Sequence, residues 1–405
     1  MTALPLPDTR PHAAPDEPPL ALYLHWPFCV SKCPYCDFNS HVAEEIDQEA
    51  WCRAYLTELE TVAALVPDRR LVSIFFGGGT PSLMAPETVA TTVERARALW
   101  RPNDGSALEV TLEANPNSSE AEKFAHFRSA GVNRLSLGVQ ALDDGALAFL
   151  GRAHSAGEGL RAIELAQRHF PRVNADMIYA RPGQTVAAWR TELGRLLDFG
   201  LGHLSLYQLT IERGTPFFAA HRRGDFALPG EDTEAALFEA TGALLEEAGL
   251  SAYEISNYAR PGEECRHNLN YWGYGDFLGV GPGAHGRLTL PEGAVATENL
   301  RAPADWLAAV ESTGRGIKAE THLGPATRAE EMVMMGLRLV SGILAEDFHR
   351  VTGLDFEDVL DARARARLVA AGFLSAETDR LRATASGRIR LNAVLAALLG
   401  GAGDD

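Results

Sequence analysis

Three cysteines fall within eight residues, Cys29, Cys33 and Cys36, in the pattern C-x-x-x-C-x-x-C. No other feature constrains the chain as much. Thiolates are soft ligands that select iron–sulfur clusters, zinc or copper(I). Three of them on one loop can hold three irons of a 4Fe–4S cube and leave the fourth iron open to a small ligand. Structural zinc would require a fourth Cys or His, usually from paired C-x-x-C units. Cys52 lies too far along a helical pattern to supply it, and Cys265 is distant in sequence. Three cysteines buried only for packing is the remaining reading.

The motif, with Tyr35 just before its last cysteine, resembles the signature of radical S-adenosylmethionine (SAM) enzymes. A short apolar strand, Leu20–Leu24, leads into it. Further apolar, β-branched runs appear at Leu71–Phe76, Leu108–Glu113, Arg134–Val139, Val173–Ile178 and Leu204–Leu209. Helical spacing separates them: Gln48–Val66 (with Trp51, Tyr55, Leu59 and Val62 on one face), Glu87–Leu99, Glu120–Ala130, Gly159–Phe170 and Val186–Phe199. Such alternation predicts βαβ units on a parallel sheet. Six units predict an α/β fold with an open, partial (β/α)6 barrel over 20–250.

Polar or glycine residues follow every predicted strand: the cysteine loop, Gly77-Gly78-Gly79-Thr80-Pro81, Glu113-Ala114-Asn115, Gly138-Val139-Gln140, Asp176 and Tyr207-Gln208. Barrel sites assemble at the carboxyl ends of strands. Glycines let a backbone approach a ligand closely and adopt unusual φ. Taken singly, each of these is a turn or strand-end residue. By the resemblance, Gly78, Gly79 and Thr80 hold the amino acid part of SAM, Tyr23 lies under the cluster loop, and Glu113, Gln140, Arg152 and Asp176 contact its ribose, carboxylate or adenine.

The 405 residues carry 46% hydrophobic and 22% charged side chains with a net charge of −17, an ordinary balance for a globular protein of about two domains. That charge argues against nucleic acid as the main partner and against a polybasic membrane anchor. No run of about 18 apolar residues predicts a membrane span, and no basic-then-apolar leader is visible at the N-terminus. An odd number of cysteines, three in one motif, does not make a disulfide framework. A reducing cytoplasm is the expected location. Residues 1–19, with six prolines, and 401–405 are expected to be loose tails.

Residues 251–320 form a separate region. Cys265-Arg266-His267-Asn268-Leu269-Asn270-Tyr271-Trp272 places a thiol, an imidazole, two amides and two aromatic rings together. Imidazole and thiolate are common axial ligands of haem iron, and aromatic rings pack on porphyrin faces. The alternative is a hydrogen-bonded histidine with an aromatic pair burying one edge of the barrel. Residues 321–400 predict a small helical, winged-helix-like domain: helices at Glu330–Leu339, Asp347–Val351, Asp358–Ala371 and from about Ala385 to Leu399, with a hairpin from Phe373-Leu374 to Leu381-Arg382. Arg363, Arg365 and Arg367 fall short of a DNA-reading helix in so acidic a chain. A lid or docking surface over the barrel mouth is expected instead.

Taken together, Y-x-H-x-P-F-C from Tyr23, G-G-G-T-P, the strand-end residues, C-x-H-N-x-x-Y-W and Gly279–Gly286 resemble the HemW family of haem chaperones, over about residues 20–400. That family is related to the oxygen-independent coproporphyrinogen III oxidase. The resemblance implies three cofactors: a 4Fe–4S cluster, SAM and haem bound for transfer. It implies haem binding by His267, Asn268, Tyr271 and Trp272, with His267 or Cys265 as candidate iron ligand. It also implies client haem proteins, including respiratory ones, as partners that supply any membrane contact. The alternative is a radical-SAM oxidative decarboxylase of porphyrinogen propionates. Against the oxidase, Phe38 stands where the decarboxylase has one more cysteine, and the N-terminal segment is shorter. Ala180 and Arg181 stand where relatives usually show Gly and Leu.

Overall fold

The computed structural model describes residues 18–102 and 108–400. The expected tails at 1–17 and 401–405 lie outside the described residues. Pro18 is not loose, because its carbonyl accepts from Arg69 Nη2 at 2.7 Å.

Six parallel strands run side by side in chain order: β1 (Leu20–Trp26), β2 (Arg70–Gly78), β3 (Glu109–Ala114), β4 (Arg134–Gln140), β5 (Arg172–Tyr179) and β6 (His203–Gln208). Helices α1 (Gln48–Ala63), α2 (Pro86–Leu99), α3 (Phe124–Ser129), α4 (Ala156–His169), α5 (Val186–Leu197) and α6 (Glu231–Glu247) complete the units. One face of each strand is apolar and packs outward under these helices, with Leu20, Leu22, Leu24, Ile74, Val110, Leu112, Leu135 and Leu137 all buried in the main core. Trp51, Tyr55, Leu59 and Val62 of α1 join them, as their spacing predicts. The single helix expected over Glu120–Ala130 is instead a turn at Ser118–Ala121 followed by α3. The Glu120 carboxylate accepts from Asn115 N at 2.8 Å and from Asn117 Nδ2 at 2.8 Å, which fixes the turn to the end of β3.

The sheet extends at both edges. β7 (Ser251–Ala252) and β8 (Asn257–Ala259) add antiparallel beside β6. After α7 (Arg266–Trp272), β9 (Asp276–Val280) returns parallel to the free side of β1, pairing Leu22 with Leu278. An antiparallel meander of β10 (His285–Leu290), β11 (Gly293–Asn299) and β12 (Ile317–Leu323) follows, with α8 (Pro303–Thr313) between the last two. Residues 251–320 are therefore part of the main sheet rather than a connection. The sheet never closes on itself: β7 and β12 are its two ends.

The C-terminal unit has its own core around Met332, Val333, Phe348, Phe356, Leu381 and Val394. It contains α9 (Pro325–Gly336), β13 (Ile343–Leu344), α10 (Ala345–Thr352), α11 (Ala362–Ala370), β14 (Arg380–Leu381) and α12 (Leu391–Leu399). The wing differs from the simple hairpin expected: β14 pairs with β13, and only an isolated bridge joins Leu374 to Ala383. The helix expected over Asp358–Ala371 starts only at Ala362, where Asp361 caps it by accepting from Ala364 N at 2.7 Å. Arg365 is spent on Glu357 at 3.0 Å. No helix among the described residues is long and apolar enough to cross a membrane.

Candidate functional site

The opposite, inward face of the strands is polar almost throughout. Period-2 alternation puts Ser73 of β2, Glu109, Thr111 and Glu113 of β3, Arg134 and Ser136 of β4, Asn174 and Asp176 of β5, and His203 and Ser205 of β6 on that face. Two layers result. At the amino ends of the strands, the short helix α7 plugs the half-barrel. Glu109 accepts from the backbone amides of Arg266 at 3.1 Å and His267 at 3.2 Å, from Cys265 Sγ at 3.4 Å and from Arg172 at 2.6 Å. A carboxylate at a helix start satisfies amides that lack intrahelical partners. Burial pushes the Glu109 carboxyl up, but Arg134, Arg172 and those amides outweigh it and hold it below the usual range.

Above the plug lies a cavity of about 1110 Å³. Cys29, Cys33, Cys36, Gly78, Gly79, Thr80, Glu113, Gln140, Arg152 and Asp176 all line it. The glycine turn is shaped by β1. Gly79 N donates to Trp26 O at 2.7 Å, and Thr80 N to Phe28 O at 2.8 Å. A Cβ on Gly79 would stand 2.6 Å from Phe28 O, and Gly78 holds φ +112°. Only glycine permits this approach, so the turn is clamped to the strand that delivers the cysteines. Thr80 Oγ1 lies 3.5 Å from Cys29 Sγ, and Arg152 Nη1 lies 3.5 Å from Cys33 Sγ. Arg152 is fixed by Asn115 Oδ1 at 2.6 Å and Gly138 O at 2.9 Å. Burial pushes the Cys29 and Cys36 thiols up.

The donor set suits a cluster. Three thiols share one wall with Thr80 and Arg152, which direct hydrogen-bond donors at sulfur. No three His, Cys, Asp or Glu side chains among the described residues converge where a single metal ion would sit. Thiolates that each take a different iron of a cube have no need to do so. On the cavity floor, Glu113 accepts from Gly78 N at 3.3 Å; burial and then the Asp176 charge raise its carboxyl to about 8. Asp176 is raised by burial, and it accepts from Asn174 at 2.8 Å and Ser136 at 3.3 Å. Both carboxyl groups can hydrogen-bond a ligand's hydroxyls.

Tyr23 is not among the cavity residues. Its hydroxyl lies 3.0 Å from His25 Nδ1, and its ring stacks on Phe75. His25 Nε2 in turn reaches Asn39 O at 2.8 Å, which ties the end of the cysteine loop to β1. The other motif divides. Cys265 is fully buried, its thiol pushed up to about 12 by burial. His267 is buried against Phe75, with Nδ1 3.1 Å from Ser73 Oγ, and burial lowers it to about 4. Tyr271 packs edge-on against Trp272 and against Phe277. Of the five residues, only Asn268 lines the cavity. The sequence reading marked Asn115 and Tyr207 only as strand-end residues without a role, and passed over Glu120, Phe75 and the arginines of the C-terminal unit; all of them line the cavity. The arginines carried no signal in the sequence.

Two family descriptions match the chain: the Radical SAM superfamily over residues 23–193 and the HemN C-terminal domain over residues 323–390. The chain is 40% identical to "Radical S-adenosyl methionine domain-containing protein 1, mitochondrial" of Bos taurus, across 95% of this chain and 88% of that one. It is 37% identical to "Heme chaperone HemW" of Escherichia coli (strain K12), across 93% of this chain and 97% of that one. Among solved structures, the fold is similar to that of E. coli coproporphyrinogen III oxidase (HemN), described as a radical SAM enzyme, with a TM-score of 0.78, 22% identity, and coverage of 94% of this chain and 90% of that one. A radical-SAM half-barrel, a HemN-type C-terminal unit and near full-length identity above 30% agree: the chain belongs to the HemW family of the radical SAM superfamily.

Proposed function

We propose that this protein is a haem chaperone that binds haem and passes it to client haem proteins. Cys29, Cys33 and Cys36 would hold a 4Fe–4S cluster. Gly78, Gly79 and Thr80 would receive the amino acid end of SAM, with Gln140, Arg152, Glu113 and Asp176 arranged around its carboxylate and ribose. When bound, the cluster supplies an open iron and an electron source beside SAM. The protein's own residues do the positioning. The clamp of the glycine turn on Trp26 and Phe28 sets the distance between cysteine loop and cofactor pocket. Arg152 bridges the loop to β3, and Tyr23 braces it from beneath through His25. Iron–sulfur chemistry with an open site calls for a reducing compartment such as the cytoplasm, and respiratory haem proteins are fitting clients.

The observation that carries this reading is that the cysteine loop, the glycine turn and the strand-end residues share one cavity, in a chain 37% identical to a protein named heme chaperone HemW. The test is titration of anaerobically reconstituted protein with hemin, followed by mixing with an apo-haem protein. A shifted Soret band that then moves to the client spectrum is expected. A flat titration overturns the reading. So does formation of protoporphyrinogen from coproporphyrinogen with SAM and dithionite, which would favour the oxidase.

A further inference from the structure

Charge in the cavity is distributed unevenly. Glu113 and Asp176 occupy the floor at the strand ends, while the C-terminal unit turns Arg338, Arg388 and Arg390 toward the same space. Elsewhere in the protein, several partly or fully buried arginines meet a carboxylate: Arg69 with Asp276, Arg172 with Glu109, Arg181 with Glu192, Arg287 with Glu331. Of the three from the C-terminal unit, Arg388 and Arg390 form no ion pair among the described residues, and Arg338 forms only a long one. Arg388 reaches only the carbonyl of Ala383, at 3.4 Å, among the described residues. Arg390 is exposed and lies over the Phe373 ring at 5.7 Å. Arg338 comes no nearer than 3.9 Å to Glu254 and leaves Nε buried without a hydrogen-bond acceptor. Glu231 and Glu234 also border the cavity, but neither forms an ion pair with these arginines among the described residues. In a chain of net charge −17, a wall of guanidinium groups with free donors is a place for an anion, and a guanidinium fork suits a carboxylate.

Apolar side chains line the space between: Phe238, Ile255, Ile389 and the exposed ring of Tyr207. The volume, about 1110 Å³, exceeds the roughly 300–1,000 Å³ of a single small-molecule site, so a second ligand has room beside SAM. A flat apolar body with carboxylates along one edge matches both surfaces. The Cys265–Trp272 segment meets this wall at two points. Trp272 carries the Arg338 guanidinium on its ring at 4.4 Å, and Asn268 faces the cavity, its amide held by Tyr253 at 3.2 Å. Its thiol and imidazole face the buried Glu109 and Ser73 instead.

We propose that the carboxylated edge of a tetrapyrrole enters this cavity and is held by Arg338, Arg388 and Arg390, with Trp272 as a positioning residue for Arg338 and no iron bond from Cys265 or His267. This rests on the haem-chaperone reading and names where that ligand sits. The experiment compares hemin with its dimethyl ester, which keeps the ring and iron but lacks the charged edge. Both are titrated into anaerobically reconstituted wild type, Arg388→Gln, Arg390→Gln, Trp272→Leu and His267→Gln, with thermal midpoints recorded for each. The two arginine variants are expected to bind hemin roughly tenfold more weakly and the ester unchanged, so that discrimination between the ligands shrinks. Trp272→Leu is expected to show the same hemin-selective loss, and folded His267→Gln to retain hemin binding. Arginine variants that match wild type for both ligands overturn the proposal and leave the haem reading intact. Loss of the Soret shift in a His267→Gln protein with a wild-type midpoint does the same. Absence of hemin binding by wild type removes both.

Discussion

Ala180 has a backbone φ of +56°, in the left-handed region, at the end of β5 and is almost fully buried. The sequence marked it only as a departure from the glycine expected there. Its conformation supplies the reason glycine suits the position: a Cβ in this region crowds the carbonyl that follows it. Ala180→Gly is therefore expected to stabilise the protein by about 1 kcal/mol, read as a higher urea midpoint with unchanged slope. An unchanged or lower midpoint would mean the surroundings already relieve the strain. The next residue has its own partner: Arg181 pairs with Glu192, which also accepts from Leu142 N at 2.7 Å. A long cation in a buried position is tolerable once a carboxylate meets it. No reading of position 181 alone would supply Glu192, eleven residues away on α5.

Among elements, α1 has a second role beyond covering β1. Its Glu58 is buried and receives Gly281 N at 2.8 Å, Gly316 N at 2.7 Å, Trp306 Nε1 at 3.1 Å and Asn299 Nδ2 at 3.2 Å. One carboxylate thus gathers four donors from the β9–β12 extension and α8. Trp306 also stacks on Trp51 with ring centroids 5.2 Å apart. Glu58→Ala would leave those donors buried without acceptors, at a cost of roughly 3 kcal/mol or more. Equilibrium unfolding in urea measures it, and a loss below about 0.5 kcal/mol would show that water replaces the carboxylate. The helical period of α1 was visible in its apolar residues, but nothing local singles out Glu58, whose partners lie more than 220 residues away.

For the whole molecule, the inward polar layer couples stability to pH. His267 is neutral in the folded protein, lowered by burial to about 4 from an ordinary 6.5. His203, enclosed by burial and by Arg134, is also held well below its usual range, with Nδ1 2.7 Å from Asn174 and Nε2 2.8 Å from Tyr253. Between these values each of these imidazoles binds its proton more readily in the unfolded chain, so its contribution to stability rises with pH across that window, while the raised carboxyl of Glu113, protonated in the folded state up to about 8, contributes with the opposite sign. The imidazole contribution is lost as pH falls from about 6.5 toward 4, by up to about 3 kcal/mol for His267. Between pH 7 and 4.5 the urea midpoint of wild type is expected to drop relative to that of His203→Gln, because only wild type carries this imidazole's contribution. An identical slope in that variant would remove His203 from the account.

Local chemistry was legible from the chain alone because it repeats at short range. The C-x-x-x-C-x-x-C spacing, the glycine run and the strand–helix alternation each occupy a few neighbouring residues. Apolar positions at period 2 and 3.6 are what parallel strands and covering helices need. What tertiary structure alone decided depends on separations that no local pattern encodes. It returned β9 to the far side of β1, so that residues 251–320 became sheet. It drew α7 into the half-barrel, where Glu109 and Ser73 satisfy the thiol and imidazole that read as ligands in the linear sequence. It also swung the arginines of the C-terminal unit against the cavity, more than 300 residues from the cysteines they face. Hydrophobic periodicity specifies which face of an element is buried; which groups meet there is set by how the buried faces fill space together.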